Sequence, residues 1–383
     1  MEFDFLEPLD NEFLNYVSGL SVQHLGSKMV MHTNEAMPDL DKIDIAIIGV
    51  LENRGDANVN SEVNLDAIRR ELYGMFPGNW KVSFGDLGDI LPGNSKEDTF
   101  FALKIIVSSL IKRKILPIVI GGSQDLTYAL YRAYDDLEQM VNLVSIDSRF
   151  DFGKENESIS SDSFLTKIII DEPNNLFNFC NIGYQTYYNS QEEIDLIDKL
   201  FFDAYRLGEV SNNISISEPV FRDADVVSID LNSLKSSDSG NFSVFNPNGF
   251  NGKEICSLSR YAGISDKVSS LGIFNHNNSK HEAVIIAQIV WYFVEGYHYR
   301  SNEYPFGSRE NYLKYIVPLE EEDLVFYKSD KTDRWWIEIP FISSSSNKLK
   351  KNTLLPCSYE EYLAACNQEM PERWWKAQRK NII

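Results

Sequence analysis

Cysteine is scarce, with four in 383 residues. Cys180, Cys256, Cys357 and Cys366 form no Cys-x-x-Cys pair and are widely spaced, so they read as reduced thiols of a cytoplasmic protein rather than a disulfide framework. Histidine is also rare: His24, His32, His276, His281 and His298 show no metal-ligand spacing. Positive charge is in deficit, with 36 Lys and Arg against 57 Asp and Glu and a formal net charge of −21. Nucleic-acid binding needs a positive field along the phosphates, and this balance disfavours it. The most apolar stretch, Val284 to Val294, is too short to span a bilayer. The acidic start, Met1 to Asp10, lacks the basic region of a secretory signal.

What is present is an ordinary globular composition, 43% hydrophobic and 24% charged, in a chain long enough to bury a sizeable core. Residues 1–300 alternate apolar runs with helix-like segments, the pattern of a parallel α/β sheet. Strands are predicted at Ile43–Val50, Trp80–Phe84, Ile115–Ile120, Val141–Ile146, Leu176–Ile182, Asp225–Leu231 and Lys267–Ile273, and helices at Leu65–Phe76, Glu97–Arg113 and Gln191–Phe201. Several strands are apolar nearly throughout, as expected where both faces are covered. The predicted class is a three-layer α/β/α arrangement around a mainly parallel sheet of about eight strands.

Residues 301–383 differ. They carry 12 basic and 13 acidic residues, so nearly all the negative charge lies before them. Tyr312–Pro318, Asp323–Lys328 and Arg334–Phe341 suggest a small antiparallel element, and Ser343–Lys348 reads as a linker. Ser358-Tyr-Glu-Glu361 is a capping box for a short helix. The predicted division is therefore an α/β domain over 1–300 and a small α+β extension over 301–383. The Trp335-Trp336 and Trp374-Trp375 pairs are expected to pack that extension onto its host.

Open α/β sheets build sites at the carboxyl ends of their strands. Polar residues gather there: Ser123, Gln124 and Asp125; Asp147, Arg149 and Asp151; Asp230 and Asn232; Asn275 and His276. Gly121-Gly122 is expected to serve the turn into a helix rather than a ligand. The polar stretch Gly55-Asp-Ala-Asn-Val-Asn60 follows the first strand.

Gly121-Gly-Ser-Gln-Asp125, Asp147-Ser-Arg-Phe-Asp151 and Ser228-Ile-Asp-Leu-Asn232, in that order, resemble the three motifs of the ureohydrolase superfamily of arginase, agmatinase and formimidoylglutamase. Those motifs are Gly-Gly-Asp-His-Ser, Asp-Ala-His-x-Asp and Ser-x-Asp-x-Asp. Asp86-Leu-Gly-Asp89 and Leu271-Gly-Ile-Phe-Asn275 extend the likeness, and Gly183-Tyr-Gln-Thr-Tyr-Tyr188 resembles the formimidoylglutamase branch. The resemblance covers about residues 40–300 and implies an arginase-like fold. It also implies a site where two bridged manganese ions make hydroxide that attacks a guanidino or formimino carbon. Carried over, the first ion would be held by Gln124, Asp147, Asp151 and Asp230, and the second by Asp147, Arg149, Asp230 and Asn232. Gln124 and Arg149 stand where the family has histidines, Asn232 where it has aspartate, and Asn275 where a glutamate grips the substrate's cationic end.

An arginine has no lone pair for a metal and stays charged. At roughly 4 Å and an effective dielectric of about 20, it would repel a divalent ion by about 8 kcal/mol. Arg149 is therefore expected to pair with Asp147 or Asp230 in place of the second ion. The expectation is a pseudoenzyme of ureohydrolase fold, with no catalytic residue assigned. It would act by binding, as a protein-interaction or scaffold component or a homo-oligomer, with no nucleic-acid or membrane partner and a small-molecule ligand as a further option. No cofactor is expected; the alternative is one divalent cation (Mn, Mg or Ca) on Gln124, Asp147, Asp151 and Asp230. The alternative function is a formimidoylglutamase-like hydrolase of C–N bonds in a linear amidine, using one metal or none.

Overall fold

The computed structural model describes residues 2–56, 63–137, 139–154, 157–303, 310–320, 322–339 and 354–382. Fourteen strands are seen among them: β1 (Leu6–Glu7), β2 (Val30–Met31), β3 (Ile45–Val50), β4 (Phe84–Ile90), β5 (Leu116–Gly121), β6 (Val141–Ile146), β7 (Leu176–Tyr184), β8 (Asp203–Arg206), β9 (Val226–Asp230), β10 (Ser270–Phe274), β11 (Tyr312–Pro318), β12 (Asp323–Ser329), β13 (Trp335–Glu338) and β14 (Leu354–Cys357). The first ten form one sheet in the order β1-β4-β3-β5-β10-β9-β6-β7-β8, with β2 beside β4. Only β1 runs antiparallel to its neighbour. The last four make a separate antiparallel sheet.

The apolar runs are continuous because successive side chains feed two cores. Ile45 and Ile47 join one cluster, with Ile68, Leu72, Ile255, Ile286 and Ile289 of the helices Asp66–Tyr73, Gly252–Ile264 and Lys280–His298. Ala46 and Ile48 join the other, with Leu103, Ile106, Leu130 and Leu165 of the helices Lys96–Lys112, Leu126–Arg132 and Phe164–Ile170. Period-two alternation across a sheet covered on both faces gives this result, and the architecture is the expected three-layer α/β/α. The helices Lys96–Lys112 and Gln191–Lys199 open with full capping boxes at Ser95 and Ser190. No helix among the described residues is long and apolar enough to cross a membrane.

The fourth strand departs from the sequence reading. It runs Phe84–Ile90 rather than Trp80–Phe84, through a segment whose glycines and aspartates look like a loop. Its polarity is answered internally. Arg69, buried on the helix Asp66–Tyr73, donates from Nε to Asp86 Oδ2 at 2.8 Å and from Nη2 to Asp89 Oδ1 at 2.7 Å, and Tyr73 donates its hydroxyl to Asp86. Paired in this way, a carboxylate can sit inside a strand. The short strands β1, β2 and β8 also lie outside the sequence reading, as does β14.

The antiparallel sheet packs on the main unit through Arg222. Its guanidinium donates to the carbonyls of Trp335 (3.0 Å) and Cys357 (2.7 Å) and lies 4.9 Å from the Trp336 ring. Trp336 and Trp374 are fully buried, and Trp375 meets Phe201 edge-on. The helix Tyr359–Cys366 carries the anticipated Ser358–Glu361 box. The Ser343–Lys348 segment lies outside the described residues.

Candidate functional site

Four strands adjacent in the sheet, β5, β10, β9 and β6, end side by side, although they are distant in sequence. Gln124 follows β5, Asn275 follows β10, Asp230 ends β9 and Asp147 follows β6. The strand order alone brings these four polar side chains to one point, where open α/β sheets bind ligands. Gly122 is required by contact: a Cβ there would lie 2.1 Å from the Glu52 carbonyl. Asp151 and Asn275 take left-handed backbone angles (φ 57° and 61°), which Asp and Asn tolerate better than most residues.

A polar network fills the base of this site. The backbone N–H of Gln124 donates to Asn275 Oδ1 at 3.0 Å, and the Ser161 hydroxyl donates to the same atom at 3.3 Å. A backbone N–H can only donate, so it fixes the Asn275 oxygen and turns the NH2 the other way. That NH2 donates to Asp230 Oδ1 (3.0 Å) and Gln124 Oε1 (3.2 Å). Gln124 in turn directs its own NH2 to Asp147 Oδ2 at 2.7 Å. The backbone N–H groups of Arg149 and Asn232 close on Asp147 Oδ1 (2.9 Å) and Asp230 Oδ1 (2.8 Å).

Asp147, Asp151 and Asp230 are all buried, and all three carboxyls are held above the usual carboxylate range. Burial is the main cause in each case, and for Asp151 and Asp230 the neighbouring Asp147 adds to it. Two buried carboxyls beside one another each disfavour the other's ionisation. Above them lies a cavity of about 120 Å3 lined by Gln124, Arg149, Asp151, Asp230, Asn232 and Asn275. Asp147 lies outside the lining, fully buried, and accepts from Gln124. Asp56, Ser148, Ser161, Asp162, Tyr188, Val244, Phe245 and Asn246 complete the lining. Of these only Asp56, Ser148 and Tyr188 fall within stretches that the sequence singles out; the others sit on loops that carry no motif. Residues 57–60 of the Gly55–Asn60 stretch lie outside the described residues.

Arg149 does not take the expected place. Arg149 is exposed and lines the cavity, its guanidinium 4.8 Å from the centre of the Tyr188 ring, and it meets Asp147 through its backbone N–H rather than through an ion pair. Stacking on an aromatic face keeps an arginine partly hydrated, whereas insertion between the carboxylates would strip it of water. His276 is buried behind the site rather than lining it, and its ring is pushed down to a pKa of about 4 by that burial. Asp125 also lies outside the cavity, fully buried under Gly55, with Lys96 at 3.8 Å and its carboxyl pushed up to about 6.

The fold and strand-end site define an α/β protein of the kind that carries polar chemistry at one sheet edge. The profile of the Arginase family matches residues 43–292, and the chain belongs to that family. It is 24% identical over 261 residues to the formimidoylglutamase of Staphylococcus aureus strain MSSA476, an alignment covering 64% of this chain and 82% of that protein. Its fold is similar to that of Trypanosoma cruzi formiminoglutamase with Mn2+2 (TM-score 0.63, 20% identity, 72% of this chain and 99% of the other). It is also similar to that of the Bacillus subtilis formimidoylglutamase (TM-score 0.61, 15% identity, 76% and 100%).

The manganese of the Trypanosoma cruzi structure overturns the expectation that no cofactor is involved: the metal to consider for this fold is manganese. In this chain the residues of the right chemistry are Asp147, Asp151 and Asp230. As they stand they are engaged with one another and with amide NH2 groups, which are donors and offer a cation nothing. Among the described residues no group of three acidic, His or Cys side chains is arranged to hold a metal ion.

Proposed function

We propose that this formimidoylglutamase-like member of the arginase family works by binding at its strand-end pocket rather than by the hydrolysis for which its relatives are named. One observation carries this reading. The NH2 groups of Gln124 and Asn275 point at Asp147 and Asp230, where a metal-dependent hydrolase needs lone pairs. The backbone N–H of Gln124 locks that orientation. None of the five histidines lines the cavity. The acidic lining favours a small cationic ligand of amidine, guanidine or amine type.

A second reading, hydrolysis of formimidoylglutamate or a related linear amidine, is favoured by the outward position of Arg149. It leaves the carboxylates free of a competing guanidinium, so manganese at Asp147, Asp151 and Asp230 is the ion to test for. Purified chain, treated with chelator and reloaded with Mn2+, separates the two when formamide release from formimidoylglutamate is followed beside thermal unfolding. The binding reading expects ligand-dependent stabilisation without release above the blank. Mn2+-dependent release that disappears in Asp230→Asn establishes the hydrolase instead.

A further inference from the structure

The amino-terminal ends of β5 and β10, opposite the strand-end pocket, border a second cavity of about 220 Å3 whose polar lining is Lys114, Asp266, Lys267, Ser269, Tyr297 and Arg300. Its charge is the reverse of the chain's acidic average. Arg300 follows the helix Lys280–His298 and lays its guanidinium 4.3 Å from the centre of the Tyr297 ring. Nε donates to the Gly263 carbonyl at 2.9 Å and Nη2 to that of Val268 at 2.8 Å, while Nη1 has no partner among the described residues. Carbonyls and a ring hold this guanidinium, no carboxylate is bonded to it, and burial draws its pKa down to about 10. Asp266, the one acidic side chain among the described lining residues, is already taken. It accepts from the Ser301 hydroxyl at 3.3 Å and from the backbone N–H groups of Asn302 (3.0 Å) and Glu303 (2.8 Å). Lys267 is committed as well, to Asp223 at 3.2 Å and Asp225 at 3.3 Å. Lys114 is not: it sits at the left-handed turn (φ 62°) from the helix Lys96–Lys112 into β5, exposed, and its ammonium pairs with no carboxylate among the described residues.

Two cations without a carboxylate of their own therefore line one cavity. A guanidinium removed from water without a counter-charge is costly, and an oxyanion offering lone pairs to Nη1 and to the Lys114 ammonium supplies what both lack. The walls narrow the class. Ile111, Ile115, Leu116 and Val268 form the rest of the lining and have nothing to give the further oxygens of a phosphate dianion. A carboxylate sets its two oxygens at the cations and leaves its body against those walls. The volume is below what drug-sized ligands occupy, which suits a short acid. We infer that this cavity binds a small monocarboxylate with an apolar body, its carboxylate between Arg300 and Lys114. The site is separate from the strand-end pocket and independent of the function proposed for it.

Isothermal titration calorimetry on the full-length chain tests it with three probes: 4-methylpentanoate, its neutral amide and inorganic phosphate. The carboxylate is expected to bind at least tenfold more tightly than either of the others. Lys114→Glu is expected to weaken it tenfold or more, and the variant should unfold near the wild-type midpoint because Lys114 is exposed. Arg300→Lys keeps the charge, loses the planar fork and is expected to weaken binding at least fivefold. Arg300 also holds two backbone carbonyls, so if that variant fails to fold, the Lys114 variant decides alone. Equal binding of the acid and its amide overturns the inference, since charge then plays no part. Phosphate binding in preference to the carboxylate overturns it too, since the apolar walls then select nothing. Unchanged affinity in Lys114→Glu puts the acid elsewhere on the chain, and absence of carboxylate binding removes the site.

Discussion

Asparagine at position 151 offers the sharpest test of the pocket's electrostatics. Asp147 and Asp151 are buried, with the Asp151 carboxyl raised well above its ordinary range by burial first and by Asp147 second. A raised folded-state pKa means that the native state binds a proton the unfolded chain has released. Stability is therefore full below the ordinary aspartate value and falls as pH rises through the shifted one. Two like charges roughly 4 Å apart at an effective dielectric of about 20 repel by about 4 kcal/mol. Because Asp147 and Asp151 already lie above the carboxylate range and so are only partly ionised together, about 1–2 kcal/mol of this is expected to show. Asp151→Asn mimics the protonated carboxyl and keeps a donor for Asp147. In chelator-treated protein it should raise the midpoint of thermal unfolding at pH 8 by roughly 1–3 °C and leave pH 5 nearly unchanged. Added Mn2+ should stabilise the wild type more than the variant, because the variant lacks one carboxylate for the ion. A lower midpoint for Asp151→Asn at pH 8 without metal would refute the repulsion between the two buried carboxyls.

Three further outcomes follow from buried groups elsewhere. Glu282 is fully buried with Oε1 unpartnered, and burial pushes its carboxyl up to about 8. Its ordinary value lies near 4.5, so the wild type should lose about 2–3 kcal/mol between pH 5 and pH 7 from this group. Glu282→Gln should flatten that slope in urea titrations. Arg69→Ala leaves Asp86 and Asp89 without their counter-charge inside a strand and should cost about 3–5 kcal/mol, visible as a large fall in denaturation midpoint or as insoluble protein. Arg222→Ala removes two donors from the Trp335 and Cys357 carbonyls and the contact with Trp336. It should cost about 2–3 kcal/mol and speed proteolysis of residues 310–382, while ligand binding at the strand-end pocket stays unchanged.

The likeness between sequence and structure is uneven for identifiable reasons. Ile45–Val50, Leu116–Gly121 and Val141–Ile146 were legible because a strand covered on both faces needs apolar side chains at every position. Phe84–Ile90 was not, because its aspartates are paired with Arg69, a partner 17 and 20 residues away on a helix. The strand-end motifs named Gln124, Asp147, Asp151, Asp230 and Asn275 without showing which would touch. Ser161, Asp162 and Phe245 come from loops whose composition gives no signal.

By itself the chain's residue order determined which apolar runs become buried central strands and which of their ends carry polar groups. Only the tertiary structure decided how those polar groups meet. Interleaving β10 and β9 between β5 and β6 sets Asn275 beside both Gln124 and Asp230, and one backbone N–H then dictates the direction of two amides. The same structure turned Arg149 outward onto Tyr188. The physical reason is that periodicity and composition report local backbone preference. The direction of a long or two-sided polar side chain depends on the partners and the water that the folded surroundings offer.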